Sequence, residues 1–207
     1  MSVTVKICGI TSEADALAAA EAGADAIGLM FYEGSPRHVS IEQAKAISAV
    51  LPPHVVRVGV FVNAAEATIS KAIVECTLNI AQFHGDETPE DCGRFAMMTI
   101  KAFRMKGPET LDEMEAFPTD GFLLDAYVKD ELGGTGARFN WDLAVRAQEF
   151  GRPIFLAGGL TADNVAEAVQ KVQPFAVDVS SGVEAEPGKK CVDKMRAFVA
   201  AAKGALG

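Results

Sequence analysis

The apolar residues of this chain fall into short, nearly continuous runs, separated by stretches rich in alanine, leucine and glutamate. Val3 to Ile7, Ala26 to Phe31, Val56 to Val62 and Ile80 to Phe83 read as strands, as do Thr99 to Arg104, Gly121 to Leu124, Pro153 to Ala157 and Ala176 to Val179. The stretches between them read as helices with recognisable ends. Ser12 is placed to cap a helix from Glu13 that closes at Gly23. Ser40-Ile41-Glu42-Gln43 has the form of a capping box for a helix reaching about Leu51, where Pro52-Pro53 stops it. Asn63 is the expected cap of a helix from Glu66 to about Cys76, and Thr88-Pro89 supplies a cap and a first-turn proline for a short one. Glu109 to Phe117 is a weaker helical segment. Asn140 is the expected cap of a helix from Trp141 to Phe150, and Asp163 to Val172 and Cys191 to Ala202 complete the set.

Strand and helix thus alternate eight times. Apolar runs that do not alternate with polar residues are expected to be buried on both faces, as in a parallel sheet covered by helices. Eight such units in 207 residues predict an α/β fold, a single-domain (β/α)8 TIM barrel over residues 1–207, rather than an open doubly wound sheet. The active site is then expected at the carboxyl ends of the strands.

Composition narrows the partners. With 49% hydrophobic residues and a formal net charge of −9, the chain can bury a core but lacks the broad basic surface that nucleic acid or an anionic membrane requires. An anionic ligand must be held locally. No apolar stretch approaches the length of a membrane span, and Met1-Ser2-Val3-Thr4 lacks the basic and apolar regions of a signal peptide, so a cytoplasmic location is expected. The cysteines at 8, 76, 92 and 191 form no CxxC pair and no metal-ligand spacing with the histidines at 38, 54 and 84, so neither a metal site nor a disulfide framework is expected. A monomer is the simpler expectation than a homodimer.

Two features carry candidate chemistry. Val5-Lys6-Ile7-Cys8-Gly9-Ile10-Thr11 reads as a strand that stops at a thiol, with Gly9 and Thr11-Ser12 marking the turn into the next helix; in a parallel barrel that places Cys8 on the catalytic face. Buried thiols at strand ends are usually inert, so position alone does not make Cys8 reactive. Further along, Ala157-Gly158-Gly159-Leu160 and Ser180-Ser181-Gly182 follow the seventh and eighth strands. Glycines there let backbone N–H groups approach a phosphate closely, and a helix amino terminus adds a favourable dipole without a basic side chain. Gly158, Gly159, Ser180, Ser181 and Gly182 are accordingly the candidate phosphate-binding residues.

Five blocks together resemble one family: Lys6-Ile7-Cys8-Gly9-Ile10-Thr11, Gln82-Phe83-His84-Gly85, Leu124-Asp125 with Gly133-Gly134-Thr135-Gly136, Ala157-Gly158-Gly159-Leu160, and Asp178-Val179-Ser180-Ser181-Gly182-Val183-Glu184. In this order and at strand ends they are similar to the phosphoribosylanthranilate isomerases of tryptophan biosynthesis, over residues 4 to about 200. The resemblance implies a cofactor-free Amadori rearrangement of a phosphoribosyl substrate, with Cys8 as general base and Asp125 as general acid. Ala126 departs from the family, which frequently has Thr or Ser there.

The reaction suits those residue types. Opening an aminofuranose needs a proton on the ring oxygen, which a carboxylic acid at Asp125 can supply if burial keeps it protonated. The resulting Schiff base acidifies the proton on the neighbouring carbon, which a Cys8 thiolate can remove, provided that Lys6, the strand-end geometry or the substrate lowers the thiol pKa. Arg37, in the loop after the second strand, offers a bidentate fork to the anthranilate carboxylate. His84 and Gln82 end the fourth strand and are candidate pocket residues, and Asp178 is a candidate partner for a sugar hydroxyl. Gly133 to Gly136 is a candidate closing loop. Tyr127 and Trp141 are as readily packing residues as stackers on the anthranilate ring. The related barrel isomerase of histidine biosynthesis is the competing enzyme, but that family has Asp where Cys8 stands. A barrel that keeps the phosphate cup and only binds phosphosugars is the competing non-enzyme.

Overall fold

A computed structural model describes residues 2–126 and 141–206. Eight strands, β1 (Thr4–Cys8), β2 (Ala26–Met30), β3 (Val56–Phe61), β4 (Ile80–Phe83), β5 (Met98–Met105), β6 (Gly121–Ala126), β7 (Ile154–Leu156) and β8 (Ala176–Val179), form a closed barrel in sequence order. Every neighbouring pair is parallel, including the β1–β8 pair that closes the ring. The helices α1 (Glu13–Glu21), α2 (Ile41–Val50), α3 (Glu66–Glu75), α4 (Pro89–Cys92), α5 (Glu109–Met114), α6 (Trp141–Ala147), α7 (Val165–Val172) and α8 (Val192–Lys203) alternate with them. This is the expected TIM barrel. Two further short strands, β9 (Glu184–Glu186) and β10 (Lys189–Lys190), make a hairpin between β8 and α8 that the apolar pattern does not announce.

The helix starts follow the capping chemistry. The Ser12 side chain accepts a hydrogen bond from the Asp15 N–H, and Ser40 with Gln43 and Thr88 with Asp91 form reciprocal capping boxes. Asn63 does not cap α3, contrary to expectation. Ala65 holds that position without a side-chain bond, while Asn63 lies in the left-handed region at φ 50°. Asparagine tolerates that conformation, and it is used to join two turns: the Asn63 N–H donates to Glu87 Oε1 at 2.8 Å, and Asn63 Oδ1 accepts from the Asp86 N–H at 2.7 Å. Asn140 lies outside the described residues.

Alternation along each strand sorts side chains into two layers. Ile7, Ile27, Phe61, Phe83, Phe122 and Val177 belong to the large apolar cluster shared with the helices, where Ala16, Ile47, Ile69 and Phe198 meet them. Val58, Ile80, Ile100, Leu123, Phe155 and Ala176 form a second, smaller cluster that fills the barrel interior. Nearer the carboxyl ends of the strands the inward positions turn polar: Lys6 and Cys8 on β1, Gln82 on β4, Asp125 on β6 and Asp178 on β8. The barrel is thus plugged by hydrocarbon at one end and lined by titratable groups at the other.

Candidate active site at the barrel mouth

The parallel register at the closing seam sets Lys6 beside Asp178. Lys6 Nζ donates to Asp178 Oδ1 at 2.9 Å, with the lysine fully buried and the aspartate nearly so. Burial presses the Lys6 ammonium down, but Asp178 and Cys8 outweigh it and hold its pKa above the ordinary value. One inward step further along β1 is Cys8, in register with Gly28 of β2. A Cβ at Gly28 would lie 2.6 Å from Cys8 Sγ, so glycine is what leaves room for the thiol.

Burial is also the largest influence on Cys8 and pushes its pKa up; Lys6 and Lys190 pull it down, Asp178 pushes it further up, and the net shift is upward. The expected lowering of the thiol pKa by Lys6 is therefore corrected. Lys6 does act in that direction, but its charge is largely neutralised by Asp178 and loses to desolvation.

Across the mouth, Asp125 near the end of β6 lies with its Oδ2 3.4 Å from His84 Nε2, a long contact. Gln82 Nε2 sits 2.9 Å from His84 Nδ1. With the amide as donor, His84 carries its proton on Nε2 and presents it to Asp125. The buried Gln82 Oε1 has no hydrogen-bond partner among the described residues.

The turns after β7 and β8 form the third wall. Gly158 and Gly159 adopt φ values of 82° and 65°, and Asn164, capping α7, folds the turn back with Nδ2 donating to the Gly159 carbonyl at 2.9 Å. The two turns touch: a Cβ at Gly182 would lie 2.1 Å from the Leu160 carbonyl oxygen. Ser180 Oγ is buried without a hydrogen-bond partner among the described residues, and lines the same pocket. An orphaned hydroxyl beside glycine turns is what an anion-binding cup leaves unsatisfied.

Arg37 is differently placed from expectation. Its fork is already engaged, Nε donating to Glu184 Oε1 and Nη2 to Glu184 Oε2, both at 2.8 Å. Lys190 Nζ donates to the same Glu184 Oε1 at 2.9 Å. The Glu184 bond raises the Arg37 pKa against burial. Burial pushes the Glu184 carboxyl up, but its two cations outweigh that and hold it low, whereas for the fully buried Lys190 desolvation wins and the pKa falls. What remains of Arg37 for a ligand is its outer edge, Nη1 and the second Nη2 proton. Asp178 is likewise part-committed: Oδ1 accepts from Lys6, and among the described residues no hydrogen bond to Oδ2 is seen.

One pocket brings together Cys8, Arg37, His84, Asp125, Gly158, Gly159, Asp178, Ser180 and Ser181, with Gly182 behind Leu160. Arg104 and Tyr32 also line it and were not expected. Arg104 lies two positions beyond the interior residue Ala102 and beside Asp125 in the β5–β6 register, so strand alternation alone would have found it. Trp141 is buried in the main apolar cluster, which makes it a packing residue. Tyr127 and Gly133 to Gly136 lie outside the described residues. Among the described residues no group of three or more His, Cys, Asp or Glu is arranged to hold a metal ion, and no helix is long and apolar enough to cross a membrane.

Residues 5–201 match the family model described as N-(5'phosphoribosyl)anthranilate (PRA) isomerase. The chain is 52% identical over 204 residues to N-(5'-phosphoribosyl)anthranilate isomerase of Trichlorobacter lovleyi, covering 99% of this chain and 100% of the relative. It superimposes with a TM-score of 0.86 and 43% identity on a phosphoribosyl anthranilate isomerase crystallised with reduced 1-(o-carboxyphenylamino)-1-deoxyribulose 5-phosphate, covering 98% and 99% of the two chains. A second structure, of monomers generated from a dimeric phosphoribosylanthranilate isomerase of Thermotoga maritima, gives a TM-score of 0.86 at 40% identity with the same coverage.

The Lys6–Asp178 pair makes a prediction about stability. Lys6→Met leaves a buried carboxylate without its cation and should cost about 3–5 kcal/mol, whereas Lys6→Met with Asp178→Leu should recover most of that. Urea unfolding midpoints measure both; a single variant within about 1 kcal/mol of the parent would contradict the buried-pair description.

Proposed function

The chain belongs to the N-(5'-phosphoribosyl)anthranilate isomerase family, and on that premise we propose the roles of the residues at its barrel mouth. It is an isomerase of tryptophan biosynthesis, converting N-(5-phosphoribosyl)anthranilate to 1-(2-carboxyphenylamino)-1-deoxyribulose 5-phosphate. The observation that carries the assignment of roles is the single pocket in which a thiol, a carboxyl group and a cationic side chain surround a glycine and serine cup.

The phosphate sits in the cup of Gly158, Gly159, Ser180, Ser181 and Gly182, with Ser180 Oγ as one donor. The anthranilate carboxylate meets the outer edge of Arg37. Held at both ends, the ribose lies across Cys8 and Asp125, which supplies the orientation that proton transfer requires. Asp125 gives its proton to the ring oxygen as the C1–O bond breaks and the nitrogen lone pair forms the Schiff base. Cys8, as thiolate, takes the C2 proton, and the electron pair moves toward nitrogen to give an enolamine. This tautomerises to the aminoketone, so the net change is internal and consumes no oxidant. His84 holds Asp125 in place, and Asp178 Oδ2 accepts from a sugar hydroxyl.

The partner is accordingly a small phosphoribosyl molecule, with the protein's own side chains supplying the acid and base. Four unpaired cysteines suit a reducing compartment, and the cytoplasm is the proposed setting. A monomer is proposed as the simpler assembly, the exposed large apolar residues being distributed over several elements, among them Leu17 on α1, Val74 on α3 and Val145 on α6. Sedimentation should give a species near 21.8 kDa; one of twice that mass would replace the monomer with a dimer.

Cys8→Ser and Asp125→Asn should each leave fold and ligand binding nearly intact while lowering turnover by roughly two to four powers of ten. Turnover is followed through the loss of anthranilate-type fluorescence. Because the Cys8 pKa is raised, the thiolate fraction should climb with pH through the neutral range, and in Asp125→Asn, which has no acid proton to lose, the residual kcat/KM should climb with it. Near-normal turnover in Cys8→Ser would assign the base to another group.

A further inference from the structure

The β9–β10 hairpin begins at Glu184, whose carboxylate grips Arg37. Glu184 is nearly buried, and its carboxylate accepts from Arg37 through both oxygens and from Lys190 through Oε1. The Gly188 N–H at the hairpin turn points to the same Oε1 at 3.4 Å. The frame around it is anchored on three sides. Thr11 Oγ1 donates to the Gly188 carbonyl at 2.5 Å, the Lys190 N–H donates to Asp15 Oδ2 at 3.1 Å, and Lys194 Nζ donates to the Glu184 carbonyl at 2.7 Å.

The stem of Arg37 is confined as tightly as its head. A Cβ at Gly9 would meet Arg37 Cδ at 2.5 Å, so the arginine crosses the turn just after Cys8 at a distance only glycine permits. A Cβ at Gly188 would lie 2.8 Å from the Pro36 carbonyl oxygen, so the hairpin turn also packs on the backbone that carries Arg37. The charges do not cancel: two cations share one carboxylate, and one positive charge is left over at the pocket wall of a chain whose net charge is −9. An ordinary Arg–Glu pair would neutralise the arginine. Here Lys190 balances Glu184, and Arg37 keeps its charge for a ligand.

We propose that Glu184 is the positioning residue of Arg37, with Lys190 as its balancing cation, and that the hairpin thereby sets the enzyme's selectivity for a ligand bearing a carboxylate on its aryl ring. This rests on the reading of Arg37 as the carboxylate anchor. Glu184 grips the inner edge of the guanidinium and turns the outer edge, with Nη1, into the pocket. A glutamine in its place keeps the shape but offers only one acceptor and turns N–H donors toward N–H donors.

The test compares two stable ligands by fluorescence titration: reduced 1-(o-carboxyphenylamino)-1-deoxyribulose 5-phosphate and its counterpart without the carboxyl group. Arg37→Ala and Glu184→Gln should each raise Kd for the first ligand about tenfold or more, and for the second less than about twofold. Glu184→Asp, one methylene shorter, should show a smaller loss with the same ligand dependence, and serves if Glu184→Gln does not fold. If Arg37→Ala weakens both ligands equally, the anchor reading itself fails. If Arg37→Ala discriminates between them but neither Glu184 variant does, the anchor stands and the positioning role is overturned. Equal weakening of both ligands by a folded Glu184 variant also overturns it, since that is the mark of general damage to the hairpin.

Discussion

The ion pair between Lys6 and Asp178 is the constraint on which the mouth of this barrel depends. It lies across the β1–β8 seam, where the first strand must find the last to close the ring, and it does so in the layer just below the thiol. Two buried charges are tolerable only because each is the other's partner. Their pairing fixes the β1 register on one side as Cys8 and Gly28 do on the other, so closure of the fold and placement of the proposed base are one event. The pair also moderates its own influence. Lys6 alone beside Cys8 would favour a thiolate, but Asp178 opposes it, and burial leaves the thiol protonated at rest.

A second charge arrangement follows the same logic with the opposite balance. Arg37, Glu184 and Lys190 carry one more positive charge than negative, and Arg37 lines the pocket that holds Cys8. The acidic chain thus keeps a positive charge at one wall of the pocket, while in the proposed reading backbone and hydroxyl groups of the turns after β7 and β8 take the phosphate. On the proposed roles, a substrate with an anion at each end would be met by two different devices: a preorganised cation at one end, and glycine turns with an unsatisfied hydroxyl at the other.

The barrel was legible in the sequence because its strands are apolar runs and several of its helices begin with a capping residue, as at Ser12, Ser40 and Thr88. The positions of Cys8, Asp125 and the two glycine turns were legible for the same reason, since strand ends define the mouth. Partners were harder to read. Asn63 has the form of a cap, but its side chain serves the turn around Asp86, a tie between distant loops that no local pattern encodes. Arg37 looked like a free fork because its carboxylate lies 147 positions away on a hairpin too short to show alternation. Lys6 was visible as a charge in an apolar strand, and alternation puts it on the same face as Cys8; only the register across the seam supplies Asp178.

Burial holds Cys8 as a thiol above the ordinary pKa while neighbouring cations pull it toward the thiolate. The rate of Cys8 alkylation by iodoacetamide as a function of pH, read peptide by peptide by mass spectrometry, tests this directly. The same cysteine in the urea-unfolded chain serves as the reference. A midpoint in the folded protein above that of the unfolded chain is the predicted result. A midpoint at or below it would mean that Lys6 and Lys190 offset or outweigh desolvation.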